Sequence, residues 1–361
     1  MARPSQARLD LEALRHNLNH ARTLAPHSKV MAVVKANAYG HGAVTISKTL
    51  EPLVDALAVA CIDEALELRA AGIAAPILLL EGIFERDEVA IAAEENFWIC
   101  IDNDWQLAGI EEAKISEPIR AWLKIDTGMH RLGIGPDCAG SALKRLQNST
   151  NVLDNTVLCT HFASADDLGS NQTQQQIDLF NTVCKNLPGE RSAANSPGLL
   201  GWQQSHYDWV RPGYMLYGNS PFTAIHPNTE ALRPVMTLSS RIISIRDVKP
   251  GASVGYGANW SASRPSRIAT VTIGYGDGYP RLAPNGTPVL VNGRRASLAG
   301  RVSMDMITID ITDISGITRG DEVILWGEGL PVTEIAAHAG TIGYELTTRM
   351  PARTQRVIST P

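Results

Sequence analysis

Over its first 215 residues this chain alternates short apolar runs with amphipathic runs, and this order limits the folds that it can adopt. The apolar runs have the length of buried strands, and most are followed by apolar residues at helical spacing. We count about eight such strand positions, at residues 31–34, 56–60, 77–80, 98–101, 119–125, 157–160, 192–194 and 208–210. Repeated strand–helix units build a parallel sheet, which closes most economically as a (β/α)8 barrel.

The residue composition and the periodicity of the sequence change after Tyr217. Residues 219–233 carry prolines and asparagines without a regular period, which is typical of a linker. From Val235 onward, short β-branched runs are separated by glycine turns, as in an all-β domain. We therefore predict an α/β plus all-β chain with two domains, a barrel over residues 1–225 and a C-terminal β-strand domain over residues 226–361.

The charge and hydropathy of the chain exclude some classes of partner. Its 361 residues include 32 Lys and Arg against 37 Asp and Glu, so there is no basic excess to hold nucleic acid or an anionic membrane. No run approaches the roughly 20 apolar residues of a membrane span, and residues 1–6 lead into a helix signal instead of a signal-peptide core. We expect a cytoplasmic enzyme that acts on small molecules.

The cysteines favour a reducing environment. There are five of them, an odd number, and no two are spaced as a CxxC pair. Most lie in apolar stretches, which favours reduced core thiols over disulfides or a metal site. No metal is expected.

Lys35 stands out because it directly follows the first apolar run. It precedes residues 43–53, where apolar residues have helical spacing, so it lies on a β-to-α loop. Barrel enzymes build their active sites from such loops. Burial among valines and alanines would lower the pKa of this amine, as a Schiff-base lysine requires, although a solvated strand end has the same local sequence.

The segment VVKANAYGHG, residues 33–42, resembles the lysine motif of the alanine racemase family, which uses pyridoxal phosphate (PLP). Further segments similar to that family follow in the family's order along nearly the whole chain: LKIDTGMHRLG, THFASAD, AANS, VRPGYMLYG, VGYGANW, IGYGDGYPR, GRVSMD and IGYEL. The resemblance implies a PLP-dependent isomerase that interconverts L-alanine and D-alanine. It also implies the TIM-like barrel and the C-terminal β domain.

The resemblance implies two catalytic residues on opposite faces of the substrate. Lys35 would carry the cofactor and handle the proton on the D-side face, and Tyr256 would handle the proton on the L-side face. In the family, the counterpart of Tyr256 comes from the other subunit, so a homodimer with shared active sites is implied. The counterpart of His161 is hydrogen-bonded to this tyrosine.

Arg211 matches the family residue that faces the pyridine nitrogen of the cofactor. A guanidinium is effectively always protonated, so it donates a hydrogen bond to that nitrogen but does not readily supply a proton. The ring would then stay neutral and withdraw electrons weakly. That property favours racemisation over transamination or decarboxylation.

The resemblance assigns further residues to binding. Hydroxyls and backbone amides hold a phosphate without a competing charge, and the family's phosphate ligands match Tyr39, Ser196, Gly213, the backbone of Tyr214, and Tyr344. The substrate carboxylate would meet Arg131 and the backbone of Met304. Residues at the entrance or in support match Lys124, Asp166, Tyr275, Arg301 and Asp305. In relatives, the counterpart of Lys124 can be carbamylated.

Other functions are compatible with parts of this pattern. A non-catalytic PLP-binding or homeostasis protein can share the barrel, although such proteins usually stop after it. A fold-related decarboxylase is disfavoured because the chain lacks a glycine-triplet phosphate loop. A racemase of broader amino-acid specificity stays open. The sequence also does not distinguish supply of D-alanine for peptidoglycan from degradation of D-alanine.

Overall fold

Eight parallel strands form a closed barrel, and most of the other strands form a second, mainly antiparallel sheet. The structure, a computed structural model, describes residues 3–359. The chain begins with strand β1 (Gln6–Leu9), and the barrel strands follow as β2 (Lys29–Val33), β3 (Ala56–Val59), β4 (Ile77–Leu79), β5 (Phe97–Ile101), β6 (Ala121–Lys124), β7 (Val157–Cys159), β8 (Arg191–Ser192) and β9 (Trp209–Val210). This closed set confirms the predicted barrel.

The α-helices of the first part accompany the barrel, and all but the first and the last of them connect its strands. They are α1 (Leu11–Leu24), α2 (Ala43–Leu50), α3 (Ile62–Ala70), α4 (Glu88–Glu94), α5 (Asp104–Glu112), α6 (Ala139–Asn148), α7 (Gln172–Cys184), α8 (Ser196–Gly201) and α9 (Pro227–Glu230). The N-cap of α1 is Asp10, whose carboxylate accepts a hydrogen bond from Ala13 N at 2.8 Å. No helix described between residues 3 and 359 is both long and apolar enough to cross a membrane.

Large aromatic side chains fill the amino-terminal end of the barrel. The rings of Trp98, Trp122 and Trp209 lie with their centroids 5.5–6.4 Å apart. The Arg120 guanidinium lies 4.6 Å from the Trp98 ring centroid, and Trp209 Nε1 donates to Glu190 at 2.7 Å. The three rings pack against one another there, and a cavity opens at the carboxyl ends of the strands.

The second part of the chain consists mainly of strands, with two helices before the last strand. The strands are β10 (Met236–Val248), β11 (Ser253–Val254), β12 (Trp260–Ser261), β13 (Ser266–Val271), β14 (Pro288–Val291), β15 (Arg294–Leu298), β16 (Ile307–Asp310), β17 (Glu322–Trp326) and β18 (Gln355–Ile358). The main sheet runs in the order β13-β16-β15-β14-β17-β10-β1-β18, and β10 also pairs with β13. The helices are α10 (Val332–Ala339) and α11 (Gly343–Thr348).

The structure differs from the predicted organisation in two respects. Strand β1, inside the range 1–225 that was predicted as barrel, pairs antiparallel with β10 and parallel with β18 of the second sheet. Its alternating side chains bury Ala7 and Leu9, and a strand with one buried face needs sheet partners that the closed barrel does not offer. The second domain, predicted as all-β, contains α10 and α11. The boundary at residue 225 stays a prediction.

Candidate active site

A cavity of about 620 Å³ opens at the carboxyl ends of the barrel strands. Most of its wall comes from the loops that follow the strands, and α11 of the second domain completes it with Tyr344 and Thr348. The predicted site residues that line this cavity are Lys35, Tyr39, Lys124, Arg131, His161, Ser196, Arg211, Gly213, Tyr214 and Tyr344. The structure therefore brings together residues that are up to about 300 positions apart in the sequence.

Lys35 begins a short turn with an unusual backbone conformation. The four residues after it, Ala36 to Tyr39, have φ between +51° and +55°, which is the left-handed helical region. Each non-glycine residue in this region costs about 1–2 kcal/mol, so surrounding contacts must hold the turn. The position of Lys35 between β2 and α2 confirms the predicted β-to-α loop.

Two side chains of the barrel part, those of Glu64 and His41, hold the turn. Ala36 N donates to the Glu64 carboxylate at 2.7 Å. His41 Nδ1 lies 3.0 Å from the carbonyl oxygens of Ala38 and Tyr39, so this nitrogen carries the proton and donates to both. Burial lowers the pKa of His41 to about 4, and the ring is therefore neutral near pH 7.

The second domain also holds this turn. Arg356 of β18 donates to Gly40 O through Nε at 3.1 Å and Nη2 at 2.9 Å. Gly40 has φ +82°, and a Cβ at this position would lie 1.8 Å from Thr347 O of α11. Only glycine fits there, because both the backbone conformation and the close approach exclude a side chain. The geometry of the Lys35 loop thus depends on both domains.

The environment of Lys35 favours the neutral amine. Burial lowers the pKa of Lys35 most, and the positive charges of Arg131 and Lys124 lower it further, against the opposing effect of Glu81 and Glu64. This direction confirms the expectation from the valine and alanine residues before it. A neutral amine on a barrel rim is a nucleophile towards carbonyl carbon.

Arg211 is a buried cation held by neutral acceptors. Its Nη1 donates to Ser192 Oγ at 2.5 Å, and its Nη2 donates to the Thr160 and Ala193 carbonyl oxygens at 2.7 Å and 3.2 Å. His161 Nδ1 lies 3.5 Å from the same Nη2. Burial and the nearby Arg211 charge lower the pKa of His161 well below its usual value, so its ring is neutral. With Nδ1 facing a donor, the His161 proton is on Nε2.

Hydroxyls and backbone amides gather at one end of the cavity. Ser196 Oγ accepts from Gly213 N at 3.0 Å and from Met215 N at 3.2 Å. A Cβ on Gly213 would lie 2.5 Å from the Tyr39 hydroxyl, so glycine lets the backbone approach that hydroxyl closely. The ring of Tyr344 lies 6.2 Å from that of Tyr39. Such a set of neutral donors suits an anion.

Some predicted residues lie outside this cavity. Asp166 is exposed next to it, near enough to Tyr344 to contribute to the raised pKa of that phenol, which burial dominates. On the second domain, Tyr256, Met304 and Tyr275 are exposed by 72%, 53% and 41%. Tyr256 and Arg301 line a separate, shallower cavity of about 390 Å³. Within one chain, the predicted second base is therefore not part of the Lys35 cavity.

The loops that carry Tyr275 and Met304 are hydrogen-bonded to each other, and an ion pair holds the predicted entrance residue Asp305 beside them. The amides of Tyr275 and Gly276 donate to the carbonyl oxygens of Ser303 and Met304 at 3.0 Å and 2.9 Å. Arg353 forms ion pairs with Asp305 and, at 3.0 Å, with the buried Asp277. These contacts link the two loops on the second domain.

Sequence reasoning missed several residues that shape the site. Glu81 lies at the cavity rim two residues after the end of β4, and its position after an apolar run was the available signal. Cys100 and Cys159 were predicted only as core thiols, but both line the cavity. A contact with the Cys159 thiol, together with burial, raises the pKa of Cys100. No local pattern marks Glu64 as the acceptor for the lysine turn.

The fold and the residues at the carboxyl ends of the barrel strands define a barrel enzyme that presents a nucleophilic amine. Comparisons with known proteins identify the enzyme family. Residues 9–221 match the family model for the alanine racemase N-terminal domain, and residues 235–358 match the model for the alanine racemase C-terminal domain. The chain belongs to the alanine racemase family, whose members are isomerases. This result confirms the resemblance that the sequence motifs indicated.

Individual relatives cover nearly the whole chain. An alanine racemase of Pseudomonas taetrolens is 53% identical over 344 residues, which is 95% of this chain and 96% of the relative. A catabolic alanine racemase of Pseudomonas putida is 52% identical over the same length and the same shares of both chains. The crystal structure of the biosynthetic alanine racemase from Pseudomonas aeruginosa has a TM-score of 0.95 at 46% identity, covering 99% of this chain and 100% of that one.

Proposed function

We propose that this protein interconverts L-alanine and D-alanine with PLP, using Lys35 and Tyr256 as acid–base residues on opposite faces of the substrate. The observation that carries the proposal is the Lys35 cavity. It places an amine of lowered pKa, a buried guanidinium and a cluster of hydroxyls around one space of about 620 Å³. The alanine racemases among its relatives support the choice of substrate.

The residues of the cavity fit PLP. Ser196 and the hydroxyls of Tyr39 and Tyr344, with the amides of Gly213 and Tyr214, would hold the phosphate. Lys35 would bind the aldehyde carbon covalently. When bound, the cofactor withdraws electrons from the substrate and makes its Cα–H acidic.

Arg211 would face the pyridine nitrogen and set the type of reaction. Its guanidinium is fixed by hydroxyl and carbonyl oxygens, so it donates a hydrogen bond and keeps its protons. With this partner, charge that develops at Cα would be only weakly delocalised. Prompt return of a proton to the opposite face of Cα, which is racemisation, would then be favoured over slower side reactions.

Tyr256 would come from a second copy of the chain. Its side chain is 72% exposed and lies outside the Lys35 cavity of its own chain, as do the carboxylate-binding residue Met304 and the entrance residues Tyr275 and Arg301. A homodimer in which each second domain covers the partner's barrel rim would bring these groups to Lys35. His161, with its proton on Nε2, and Arg211 are then available to stabilise the Tyr256 phenolate.

The substrate carboxylate would meet Arg131 together with the backbone of Met304. Arg131 lines the Lys35 cavity and forms no ion pair with any residue between positions 3 and 359. Its guanidinium is therefore available as a bidentate hydrogen-bond donor to a carboxylate. Lys124 also lines the cavity, and its carbamylation stays a prediction. Asp166 and Asp305 stay predicted as entrance residues.

The physiological role is a separate proposal. Relatives at similar identity include enzymes described as catabolic and as biosynthetic, so supply of D-alanine for peptidoglycan and degradation of D-alanine both fit the same site. The cytoplasmic location also stays a prediction. Growth of a deletion strain with and without D-alanine would separate the two roles, because only loss of a biosynthetic enzyme creates a D-alanine requirement.

The test of the proposed function is exchange at Cα. The purified protein with PLP is incubated in D₂O with a panel of amino acids, and deuterium incorporation and optical rotation are followed together. We expect exchange and racemisation for alanine, and much slower reaction for larger side chains. A PLP carrier would leave both quantities unchanged, and a broad racemase would act equally on serine or lysine. Borohydride reduction followed by peptide mapping should place the pyridoxyl group on Lys35.

A further inference from the structure

Two tyrosines from different domains stack in the wall of the Lys35 cavity. Tyr214 follows Gly213 in the barrel part, and Tyr344 lies on α11 of the second domain. Their ring centroids are 3.6 Å apart, and the ring planes are inclined by 14°. This is a face-to-face contact of two large side chains, and Tyr214 is only 2% exposed.

The Tyr214 hydroxyl does not help to hold the two rings together through a hydrogen bond to any residue between 3 and 359. It is buried and has no hydrogen-bond partner among residues 3–359. A Cβ at position 343 would lie 2.0 Å from it, so only the glycine that occurs at this position leaves room for the Tyr214 ring. A buried hydroxyl without a partner costs free energy, so the stabilising contacts of Tyr214 in this wall come from its ring.

The Tyr344 hydroxyl, in contrast, has a proposed role in holding the cofactor phosphate. Between residues 3 and 359 no hydrogen bond orients it, and its ring is held by contacts with other rings. The Tyr39 ring lies 6.2 Å away at an angle of 48°, so Tyr214 provides the only close parallel surface among the described aromatic contacts. Without that surface, the Tyr344 side chain would sample other rotamers.

We propose that Tyr214 is a positioning residue whose ring holds the Tyr344 hydroxyl at the phosphate end of the cavity. The inference rests on the proposed function, because it assumes that PLP binds there. It differs from the backbone role predicted for residue 214, since here the aromatic side chain matters. It also gives the second domain a direct part in cofactor affinity.

The test measures the PLP dissociation constant of the full-length protein after removal of cofactor, by quenching of tryptophan fluorescence on titration with PLP. Tyr214→Phe keeps the stacking ring, so we expect its dissociation constant to stay within about twofold of wild type. Tyr214→Leu and Tyr214→Met remove the ring and should raise the constant roughly 3- to 10-fold, the size of a typical aromatic pair contribution. Two non-aromatic variants are used so that one that folds poorly does not decide the result.

A double-mutant cycle separates positioning from a general structural role. Tyr344→Phe removes the hydroxyl that Tyr214 is proposed to hold, so Tyr214→Leu should weaken PLP less than twofold further in that background. An equal loss in both backgrounds, or a loss in Tyr214→Phe as large as in Tyr214→Leu, would overturn the proposal. If the wild-type protein itself fails to bind PLP at Lys35, the proposed function fails, whereas normal wild-type binding with insensitive variants rejects this inference alone.

Discussion

Within one chain, contacts hold the groups of the Lys35 cavity in place, whereas the surface around Tyr256 is exposed to solvent. Around Lys35, contacts from both domains hold four residues in left-handed backbone conformations and place a buried Arg211 and a neutral His161 nearby. Tyr256 lies in a short exposed turn whose neighbours Gly255 and Gly257 have φ of +76° and +72°. One region holds its reactive groups in place, while the other presents its reactive group to solvent.

This difference indicates which parts of the proposed site a single chain can build. A nucleophilic lysine needs desolvation and a fixed loop, and both come from packing inside the chain. Under the proposed function, the base for the opposite face of the substrate would come from outside the barrel rim, because Tyr256 does not line the Lys35 cavity of its own chain. The contrast makes the homodimer the central part of the proposal, and the following predictions test each half separately.

The largest effect is expected for Lys35→Ala. Loss of the amine removes the covalent link to PLP and one of the two acid–base groups, so racemisation should fall below detection, as should the absorbance of the bound cofactor. The matched control is Lys48→Ala, because Lys48 is an exposed lysine of α2. Substantial turnover by Lys35→Ala would mean that another residue carries the cofactor.

Tyr256→Phe should have the next largest effect and should act on chemistry without affecting cofactor binding. We expect normal PLP absorbance with turnover reduced roughly 10²- to 10⁴-fold, the usual contribution of an acid–base group. Exchange of the proton that Lys35 handles should survive better than exchange on the other face. The control is Tyr207→Phe, since the Tyr207 hydroxyl donates to Asn181 away from the cavity. Near-normal racemisation would refute the two-base assignment.

Acid should reduce the stability of the protein through the buried histidines near Lys35. The folded state lowers the pKa of His41 to about 4, below the unfolded value of 6.5, so the unfolded chain binds a proton between these pH values that the folded chain does not. The free energy of unfolding therefore has its full value above pH 6.5 and falls as the pH decreases. His41 alone lowers it by about 2 kcal/mol at pH 5. The lowered pKa of His161 acts in the same direction.

Urea unfolding at pH 7.5 and pH 5 measures this effect, at one protein concentration because a dimer makes stability concentration-dependent. His41→Asn keeps a donor for the turn carbonyls but cannot titrate, so its stability should change less between the two pH values. His27→Asn alters an exposed histidine and should behave as wild type. If His41→Asn shows the full wild-type loss, the acid sensitivity arises elsewhere.

The two halves also differ in how far the sequence predicts them. Apolar runs of strand length located the barrel strands, and the position of Lys35 after β2 located the rim, because both signals are local. The left-handed turn has no such signal, since Ala36, Asn37 and Ala38 are not glycines and their conformation depends on partners such as Glu64 and Arg356. Sequence reasoning alone did not reveal that dependence.

Long-range pairing explains the remaining differences. Strand β1 has four residues, and its partner β10 begins 230 positions later, so no local pattern could assign it to the second sheet. Helix α10 was overlooked, although Val332, Ile335, Ala336 and Ala339 have helical spacing and Gly340 follows as a left-handed C-cap. The surrounding β-branched strands dominated that prediction. Tyr256 came from resemblance only, since its own surroundings leave it exposed.

The smallest loss of activity is expected for a mixed dimer, which tests directly whether the Lys35 cavity and the Tyr256 surface of one site come from different subunits. If Lys35 and Tyr256 of one site come from different subunits, a mixed dimer of Lys35→Ala and Tyr256→Phe chains contains one site with both changes and one site with neither. Co-expression with two different affinity tags and purification by both should then yield about half of the wild-type activity per dimer.

Doubly tagged dimers of each single variant are the controls and should stay inactive or nearly so. If each site were built within one chain, every site in the mixed dimer would carry one change, and no activity would return. Recovery therefore depends on the arrangement of the two regions and not on the severity of either substitution. A mixed dimer that forms but stays inactive would show that the exposed Tyr256 surface does not complete the partner's Lys35 cavity.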